Sequence, residues 1–281
     1  DNEGLFHRAV VMSAMIRSPY QVGGIGVPEE LWHAEENGQH FLSFLGCSTI
    51  EQARKLDAAT IRDKYEEYTK IFPAMFTVLD HKFCVGDPMV LFMEGKHVNV
   101  PVMSGNTSDE FPSYIEASSK EDLKKKAEEI FGKNAETFLR FPEAMREDSD
   151  GKYAKVNGIE CTIKCLFSDK KSAGEKKPYY YYRFDSDIPG WDNAGTFHSV
   201  DLWFFFETLA KCWRPFVGQH YDLSRMMCNY WVNFIKTGDP NGNDADGKPM
   251  PYWYPYEKEK PCEMIFMSDR PVVNCGWVTP F

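Results

Sequence analysis

Two residues in this chain, Glu110 and His198, have the types and positions that hydrolytic chemistry needs. Glu110 follows the apolar run 98–103, and His198 lies on a later loop that contains Gly190 and Gly195. A serine hydroxyl is a weak nucleophile until an imidazole accepts its proton, and a carboxylate must hold that imidazole in the correct tautomer. Spacing alone leaves a second interpretation open, because acids after strands and histidines on loops are often simply exposed to solvent.

The third member of such a triad is missing from the sequence. No Gly-x-Ser-x-Gly turn, which strains and exposes a nucleophilic serine between a strand and a helix, occurs in the 281 residues. Ser13 ends a short apolar run but lacks this glycine context, so it is not the predicted nucleophile. We therefore predict that the chain is the C-terminal part of a serine hydrolase, that its nucleophile lies outside the chain, and that the chain alone is inactive.

Alternating strands and helices predict an α/β fold with a mostly parallel sheet. Short runs rich in β-branched or aromatic residues indicate buried strands, and apolar residues at helical spacing indicate helices. Loops at the carboxyl ends of parallel strands converge at one edge, where Glu110 and His198 could meet. The predicted strands lie within 5–13, 98–104, 178–184 and 262–267; the predicted helices are 29–45, 49–70, 221–236 and one that a Ser118–Glu121 capping box begins and Gly132 ends.

The composition excludes several other classes of protein. Hydrophobic residues make up 43% of the chain, which supports a large core and argues against disorder. The net charge of −10 argues against nucleic acid and anionic membrane surfaces as partners. No apolar run approaches the roughly 18 residues that a membrane span requires. No cysteine–histidine cluster has zinc spacing, so we expect no metal and no cofactor.

The eight cysteines are too widely spread for a small disulfide scaffold. We interpret them as buried or free thiols in a reducing environment, which favours a cytoplasmic location. Residues 1–16 contain no basic segment typical of a signal peptide. A chain without its N-terminal part would also have lost such a signal, so the location stays unassigned and secretion stays open.

Four segments resemble motifs of the type-B carboxylesterase/lipase family, which includes para-nitrobenzyl-type esterases and the cholinesterases. Leu5–Ser13 is similar to the segment that follows the family's nucleophile elbow. Ser108–Phe111 resembles the family's acid motif, and Gly195–Leu202 resembles its histidine motif. The most specific match is Tyr230–Asn241, which reads Tyr-Trp-Val-Asn-Phe-Ile-Lys-Thr-Gly-Asp-Pro-Asn. The four segments occur in the family's order over most of the chain.

The resemblance implies a fold and a domain organisation. It implies that residues 1–281 are the C-terminal part of a single α/β-hydrolase catalytic domain, with the N-terminal part absent. Within this part, residues 118–175 are expected to form a helical insertion or cap region. In the family order of serine, acid and histidine, the nucleophile would lie roughly twenty residues before Asp1.

The resemblance also assigns site residues. Glu110 becomes the triad acid, His198 the general base, and Ser13 a residue that hydrogen-bonds near this pair. Phe111 and Phe197 become substrate-pocket candidates. Phe111 replaces the glycine that follows the acid in the family, so the family's substrate preferences are not carried over.

The resemblance implies that the protein hydrolyses a carboxylic ester. It also implies two partners. One is a small-molecule ester substrate. The other is the N-terminal half of the same enzyme, as part of the same polypeptide or as a second one. The alternative is a non-catalytic adhesion or interaction protein of the same fold, because some family members have lost the triad. The presence of both Glu110 and His198 favours the enzyme.

Overall fold

A computed structural model of the protein describes residues 2–14, 28–75, 77–110, 117–140, 145, 151, 153 and 158–275. The strands in this part of the chain are β1 (Ala9–Met12), β2 (Glu29–Glu30), β3 (Val78–Leu79), β4 (Val102–Thr107), β5 (Tyr179–Asp185), β6 (Cys262–Met267) and β7 (Pro271–Cys275). The α-helices are Leu31–Phe44, Ile50–Ala53, Ala58–Tyr68, Pro88–Met93, Lys120–Phe131, Ala135–Leu139, Gly158–Ser172, Asp201–Phe205 and Gly218–Thr237. None of these helices is long and apolar enough to cross a membrane.

The chain divides into two compact units, residues 1–23 with 93–281 and residues 24–92. In the first unit, the described strands form one sheet in the order β1-β4-β5-β6-β7. The first four are parallel to one another, and β7 runs antiparallel to β6. The predicted α/β fold with a mostly parallel sheet is confirmed.

Strand β5 shows how the sheet is covered on both faces. Successive side chains of a strand point to opposite faces. Tyr180, Tyr182 and Phe184 belong to the main hydrophobic cluster, which also contains Met227, Tyr230 and Phe234 of the helix Gly218–Thr237. On the opposite face, the Tyr179 ring packs on Phe167 of the helix Gly158–Ser172, with ring centroids 4.7 Å apart. Helices therefore cover both faces of the sheet, as a buried parallel strand requires.

The second unit is held by its own aromatic cluster. β2 and β3 pair in parallel, with Glu29 opposite Val78. The fully buried ring of Tyr68 contacts the rings of Phe41 and Phe44 at centroid distances of 5.1 and 5.5 Å. The helices that carry these rings are therefore packed together by aromatic contacts.

Two helix predictions need correction. Residues 49–70 form two helices, because the Asp57 carboxylate accepts a hydrogen bond from Ala59 N at 2.9 Å and begins a new helix there. The helix Lys120–Phe131 is capped by Ser119 and not by Ser118, since Ser119 Oγ accepts from Asp122 N at 3.1 Å. The predicted stop at Gly132 is correct.

The interpretation of all cysteines as unpaired thiols is wrong for one pair. Cys262 and Cys275 form a disulfide. They lie directly opposite each other in the antiparallel pair β6–β7. The sequence prediction identified β6 and missed β7, and the pairing becomes visible only once β7 returns beside β6. Cys47, Cys84, Cys165, Cys212 and Cys228 carry free thiols.

Candidate active site

The carboxyl ends of three neighbouring strands meet at one edge of the sheet. Ser13 follows β1, Glu110 follows β4, and the loop that carries His198 follows β5. The strands are adjacent and parallel, with Met12 opposite Gly105 and Gly105 opposite Tyr182. The sheet therefore brings together residues separated by 97 and 88 positions in the chain. All three belong to the same compact unit.

The Glu110 side chain is almost completely buried, with 1% of its surface exposed. One carboxylate oxygen, Oε1, accepts the Ser13 hydroxyl and also the Thr107 backbone N–H, the latter at 3.0 Å. A buried carboxylate is costly unless hydrogen bonds compensate for the lost water. These two donors hold the carboxylate in one orientation and leave its second oxygen directed at the imidazole.

His198 completes the pair. Its Nδ1 lies 2.7 Å from Glu110 Oε2. An ionised carboxylate only accepts hydrogen bonds, so Nδ1 must carry the proton and donate it. The His198 side chain is 36% exposed, in contrast to its buried partner. The arrangement is an imidazole held by an acid on one side and accessible to solvent.

A short bridge joins the acid loop to the histidine loop. Asp109 and Phe197 form an isolated parallel β-bridge, in which Asp109 N donates to Thr196 O at 3.2 Å. Thr196 N donates in return to Asp109 Oδ2 at 2.8 Å. Gly195 has a φ of +63°, and a Cβ there would lie 2.5 Å from Asp109 Oδ2. Only glycine fits this turn, which sets the residues before Glu110 and His198 side by side.

A second carboxyl group lies close to the pair. Asp201, in the first turn of the helix Asp201–Phe205, is 1% exposed and accepts the Tyr182 hydroxyl at 2.9 Å. Burial, reinforced by the negative charge of Glu110, raises the pKa of Asp201 to about 6. Burial together with Asp201 holds the Tyr182 pKa far above its ordinary range. Neither residue was predicted as part of the site, although Asp201 lies within the segment Gly195–Leu202.

The remaining site predictions stay untested. The Phe197 ring packs edge-on against Trp203, with centroids 5.7 Å apart, and contacts the main hydrophobic cluster. Phe111 lies outside the described residues. Within the described residues, no group of three or more histidine, cysteine, aspartate or glutamate side chains is arranged to hold a metal ion.

The sequence is similar to known proteins over most of its length. Residues 159–272 match the model of the carboxylesterase family. Bile salt-activated lipase of Rattus norvegicus is 24% identical over 302 residues, covering 92% of this chain and 47% of the lipase. Neuroligin-2 of Rattus norvegicus is 24% identical over 281 residues, covering 85% of this chain and 32% of that protein.

Solved structures show the same fold. A solved PNB esterase superposes with a TM-score of 0.64 at 22% identity, covering 97% of this chain and 56% of the esterase. This chain spans about half the length of the first curated relatives it matches. The segment 159–272 is thus similar to the carboxylesterase family, and the chain has an α/β-hydrolase fold.

Proposed function

We propose that this chain supplies the acid and the base of a Ser-Glu-His triad in a carboxylic ester hydrolase. The supporting observation is the contact between His198 Nδ1 and Glu110 Oε2 at 2.7 Å, made by residues 88 positions apart. The buried carboxylate and the partly exposed imidazole have the environments that the two roles require. The nucleophilic serine belongs to a segment outside these 281 residues, in the same polypeptide or in a second one.

The proposed reaction proceeds in two halves. The serine oxygen attacks the ester carbonyl carbon while His198 Nε2 accepts the serine proton. The tetrahedral intermediate collapses, the alcohol leaves with the proton from His198, and an acyl-serine remains. Water then attacks the acyl-serine with the same histidine as base, and the carboxylic acid and the serine are released. Throughout, Glu110 stabilises the imidazolium and fixes Nδ1–H toward itself.

Ser13 acts as a positioning residue in this proposal. Its hydroxyl and the Thr107 backbone N–H both donate to Glu110 Oε1. A carboxylate with one oxygen fixed by two donors has little freedom to rotate, so Oε2 stays in line with the imidazole. Phe197, next to His198, and Phe111, next to Glu110, remain the proposed lining of the substrate pocket.

The edge of the sheet indicates where the missing half would join. β1 is the terminal strand of the described sheet, and its only described neighbour is β4. An unpaired strand edge presents backbone N–H and C=O groups to any partner strand. We propose that the N-terminal half adds its strands beside β1, next to Ser13. On this proposal, 1–281 is part of one catalytic domain with 118–175 as its insertion.

The alternative function is non-catalytic adhesion or interaction on the same fold. The match to neuroligin-2 is compatible with it. The intact hydrogen bond between Glu110 and His198 favours the enzyme, because a binding protein has no need for a buried carboxylate on a histidine. The codons upstream of Asp1 discriminate: Gly-Glu-Ser-Ala-Gly supports the hydrolase, and glycine or asparagine in place of the serine supports the binder.

The first experiment measures purified residues 1–281 with a p-nitrophenyl ester. We expect no burst of p-nitrophenol and no turnover above the rate without protein, because the chain holds no Gly-x-Ser-x-Gly nucleophile. A burst proportional to protein concentration, abolished by an active-site serine reagent, would show that the chain carries its own nucleophile and would overturn this part of the proposal.

The second experiment uses the full-length enzyme that contains the serine. Glu110→Gln should lower kcat by roughly three to four orders of magnitude, with KM nearly unchanged, because glutamine favours the wrong imidazole tautomer. Glu207→Gln is the matched control, since Glu207 is an exposed glutamate that pairs with Arg225. Equal activity of the two variants would contradict the role of Glu110.

A further inference from the structure

The loop that carries His198 is held at two places. One is the bridge between Asp109 and Thr196, immediately before the histidine. The other is farther back along the loop, where Arg214 donates to the Pro189 carbonyl at 3.1 Å and to both carboxylate oxygens of Asp192 at 2.9 and 2.7 Å. The second attachment comes from a different part of the chain, 22 residues beyond Asp192.

The Arg214 side chain is buried and lies near two aromatic rings. Its side chain is only 6% exposed. The guanidinium carbon lies 4.7 Å from the Trp213 ring centroid and 5.5 Å from the Phe197 ring centroid. A guanidinium between aromatic rings gains cation–π attraction, and its planar fork matches a carboxylate in a bidentate pair. Phe197 is the residue directly before His198, so Arg214 contacts the loop one residue before the histidine.

Arg214 and Asp192 form a bidentate ion pair. Hydrogen bonding from Arg214 lowers the pKa of Asp192, and hydrogen bonding to Asp192 raises the pKa of Arg214. The loop accommodates the pair at Gly190, where a Cβ would lie 2.5 Å from one guanidinium nitrogen and 2.6 Å from Asp192 Oδ1. A larger residue at Gly190 would therefore displace either the pair or the loop.

The scaffold behind Arg214 is part of the core. Phe216 N donates to the Arg214 carbonyl at 2.8 Å. The Phe216 ring packs edge-on against Phe204 and His220, with centroids 5.7 and 5.3 Å apart. His220, in the first turn of the helix Gly218–Thr237, is buried. Phe216 thus links Arg214 to the buried His220 of this helix, while Arg214 itself contacts the loop that carries His198.

We propose that Arg214 is a positioning residue that fixes the His198 imidazole against Glu110, acting through Asp192 and Phe197. This inference rests on the proposed function, because the imidazole geometry matters only if His198 is the catalytic base. Positioned groups contribute to rate through geometry, and small displacements at such sites are costly. Loss of Arg214 should therefore loosen the hydrogen bond between Nδ1 and Glu110 before it unfolds the chain.

The test reads the tautomer of His198 directly. Long-range proton–nitrogen NMR spectra of the histidine-labelled chain are recorded at about pH 8.5, where an ordinary imidazole is neutral. His198→Gln identifies the signals. The wild type should show Nδ1–H as the dominant tautomer. Arg214→Gln and Asp192→Asn should each increase the fraction of His198 in the Nε2–H tautomer by a measurable amount. The double variant should increase this fraction no more than the more strongly affected single variant does.

The matched control is Arg225→Gln. Arg225 is an exposed arginine on the helix Gly218–Thr237 that pairs with Glu207, and its loss should leave the tautomer unchanged. Circular dichroism establishes that each variant is folded at the temperature of the spectra. If Arg214→Gln does not fold, Asp192→Asn carries the test, since it leaves Arg214 between its two rings.

The outcomes separate the inference from the proposed function. A wild-type ring without Nδ1–H would contradict the triad assignment itself. A wild-type Nδ1–H ring that folded Arg214→Gln and Asp192→Asn leave unchanged would overturn only the role of Arg214. In the full-length enzyme, Arg214→Gln should lower kcat by about tenfold or more with little change in KM. Full kcat in that folded variant would likewise overturn the role of Arg214.

Discussion

Replacement of Asp201 by asparagine should remove a loss of stability that the protein undergoes as the pH rises. Asp201 is buried and receives the Tyr182 hydroxyl, and burial raises its pKa to about 6. The charged groups that act on it are Glu110, which raises this pKa, and His198, which lowers it. Asparagine keeps an oxygen that can accept from Tyr182 and cannot ionise, so the substitution isolates the charge.

The sign follows from proton linkage. The folded-state pKa lies above the unfolded value of 3.8, so the native state binds more protons than the unfolded state between these two values. The stabilisation from neutral Asp201 is therefore complete below pH 3.8 and is lost as the pH rises through about 6. At 1.36 kcal/mol for each pH unit, the wild type should lose roughly 3 kcal/mol of unfolding free energy over this range.

Urea unfolding at a series of pH values, monitored by tryptophan fluorescence, measures this effect. The useful quantity is the difference between the unfolding free energies of the wild type and Asp201→Asn, because titrating groups that do not interact with Asp201 cancel in it. Between pH 4 and pH 7 this difference should become less favourable to the wild type by roughly 2.4 kcal/mol, which is most of the total effect. Asp246→Asn, which changes an exposed aspartate in a loop, should give a difference that stays flat.

A flat difference for Asp201→Asn would refute the reasoning, since it would mean that Asp201 has the same proton affinity folded and unfolded. A difference that moved in the opposite direction would place Asp201 in a site that stabilises its charge. Either result would also contradict the inference that Asp201 is largely neutral in mildly acidic solution.

Three further predictions concern the same edge of the sheet and the pair β6–β7. Tyr182→Phe removes the donor that lowers the pKa of Asp201, so the pH-dependent loss of stability should extend to higher pH, with a cost of about 1–3 kcal/mol for the unpaired carboxyl group in urea unfolding. Gly195→Ala should destabilise the chain by about 1–3 kcal/mol, because Gly195 has a φ of +63° and a Cβ there would meet Asp109. The control Gly218→Ala should be nearly neutral, since no atom lies within 4 Å of a Cβ at Gly218. Equal effects of the two substitutions in thermal melts would contradict the strained turn. Cys262→Ser with Cys275→Ser should lower the unfolding free energy by about 3 kcal/mol, and a reducing agent should produce the same loss in the wild type and none in the variant.

The sequence predicted the meeting of Glu110 and His198 but not the residues that surround them. Glu110 and His198 each follow a strand that a run of β-branched or aromatic residues predicts. Because the carboxyl ends of parallel strands meet at one edge of the sheet, the convergence of these two residues could be predicted. A strand near 262–267 was predicted between the polar segments 257–260 and 268–270, and β6 has these bounds. β7 was missed because its residues after Pro271 are only partly buried or exposed and carry no alternating pattern.

The supporting residues were not predictable for a different reason. Arg214 touches Asp192 and Phe197 only because two loops return to the same place, and no local pattern in either segment specifies that return. The position of Ser13 on Glu110 came from the family resemblance and not from its own surroundings in sequence. Contacts between loops depend on the packing of the helices beneath them, and single-sequence patterns do not report that packing.

Three carboxyl groups lie close to His198, and their environments decide which of them can serve as the triad acid. Asp109 is exposed and holds the Thr196 backbone N–H, so its task is to close the loop. Asp201 is buried with the Tyr182 hydroxyl as its side-chain donor, and burial raises its pKa to about 6.

Glu110 is buried but accepts from the Ser13 hydroxyl, the Thr107 backbone N–H and His198 Nδ1. Three donors replace the water that burial removes and hold the carboxylate in one position. A triad acid must stay ionised while the imidazole gains a proton, and it must hold the ring from a fixed position. Of the three carboxyl groups, Glu110 alone accepts from these donors and from the imidazole, which supports the proposal that it is the triad acid.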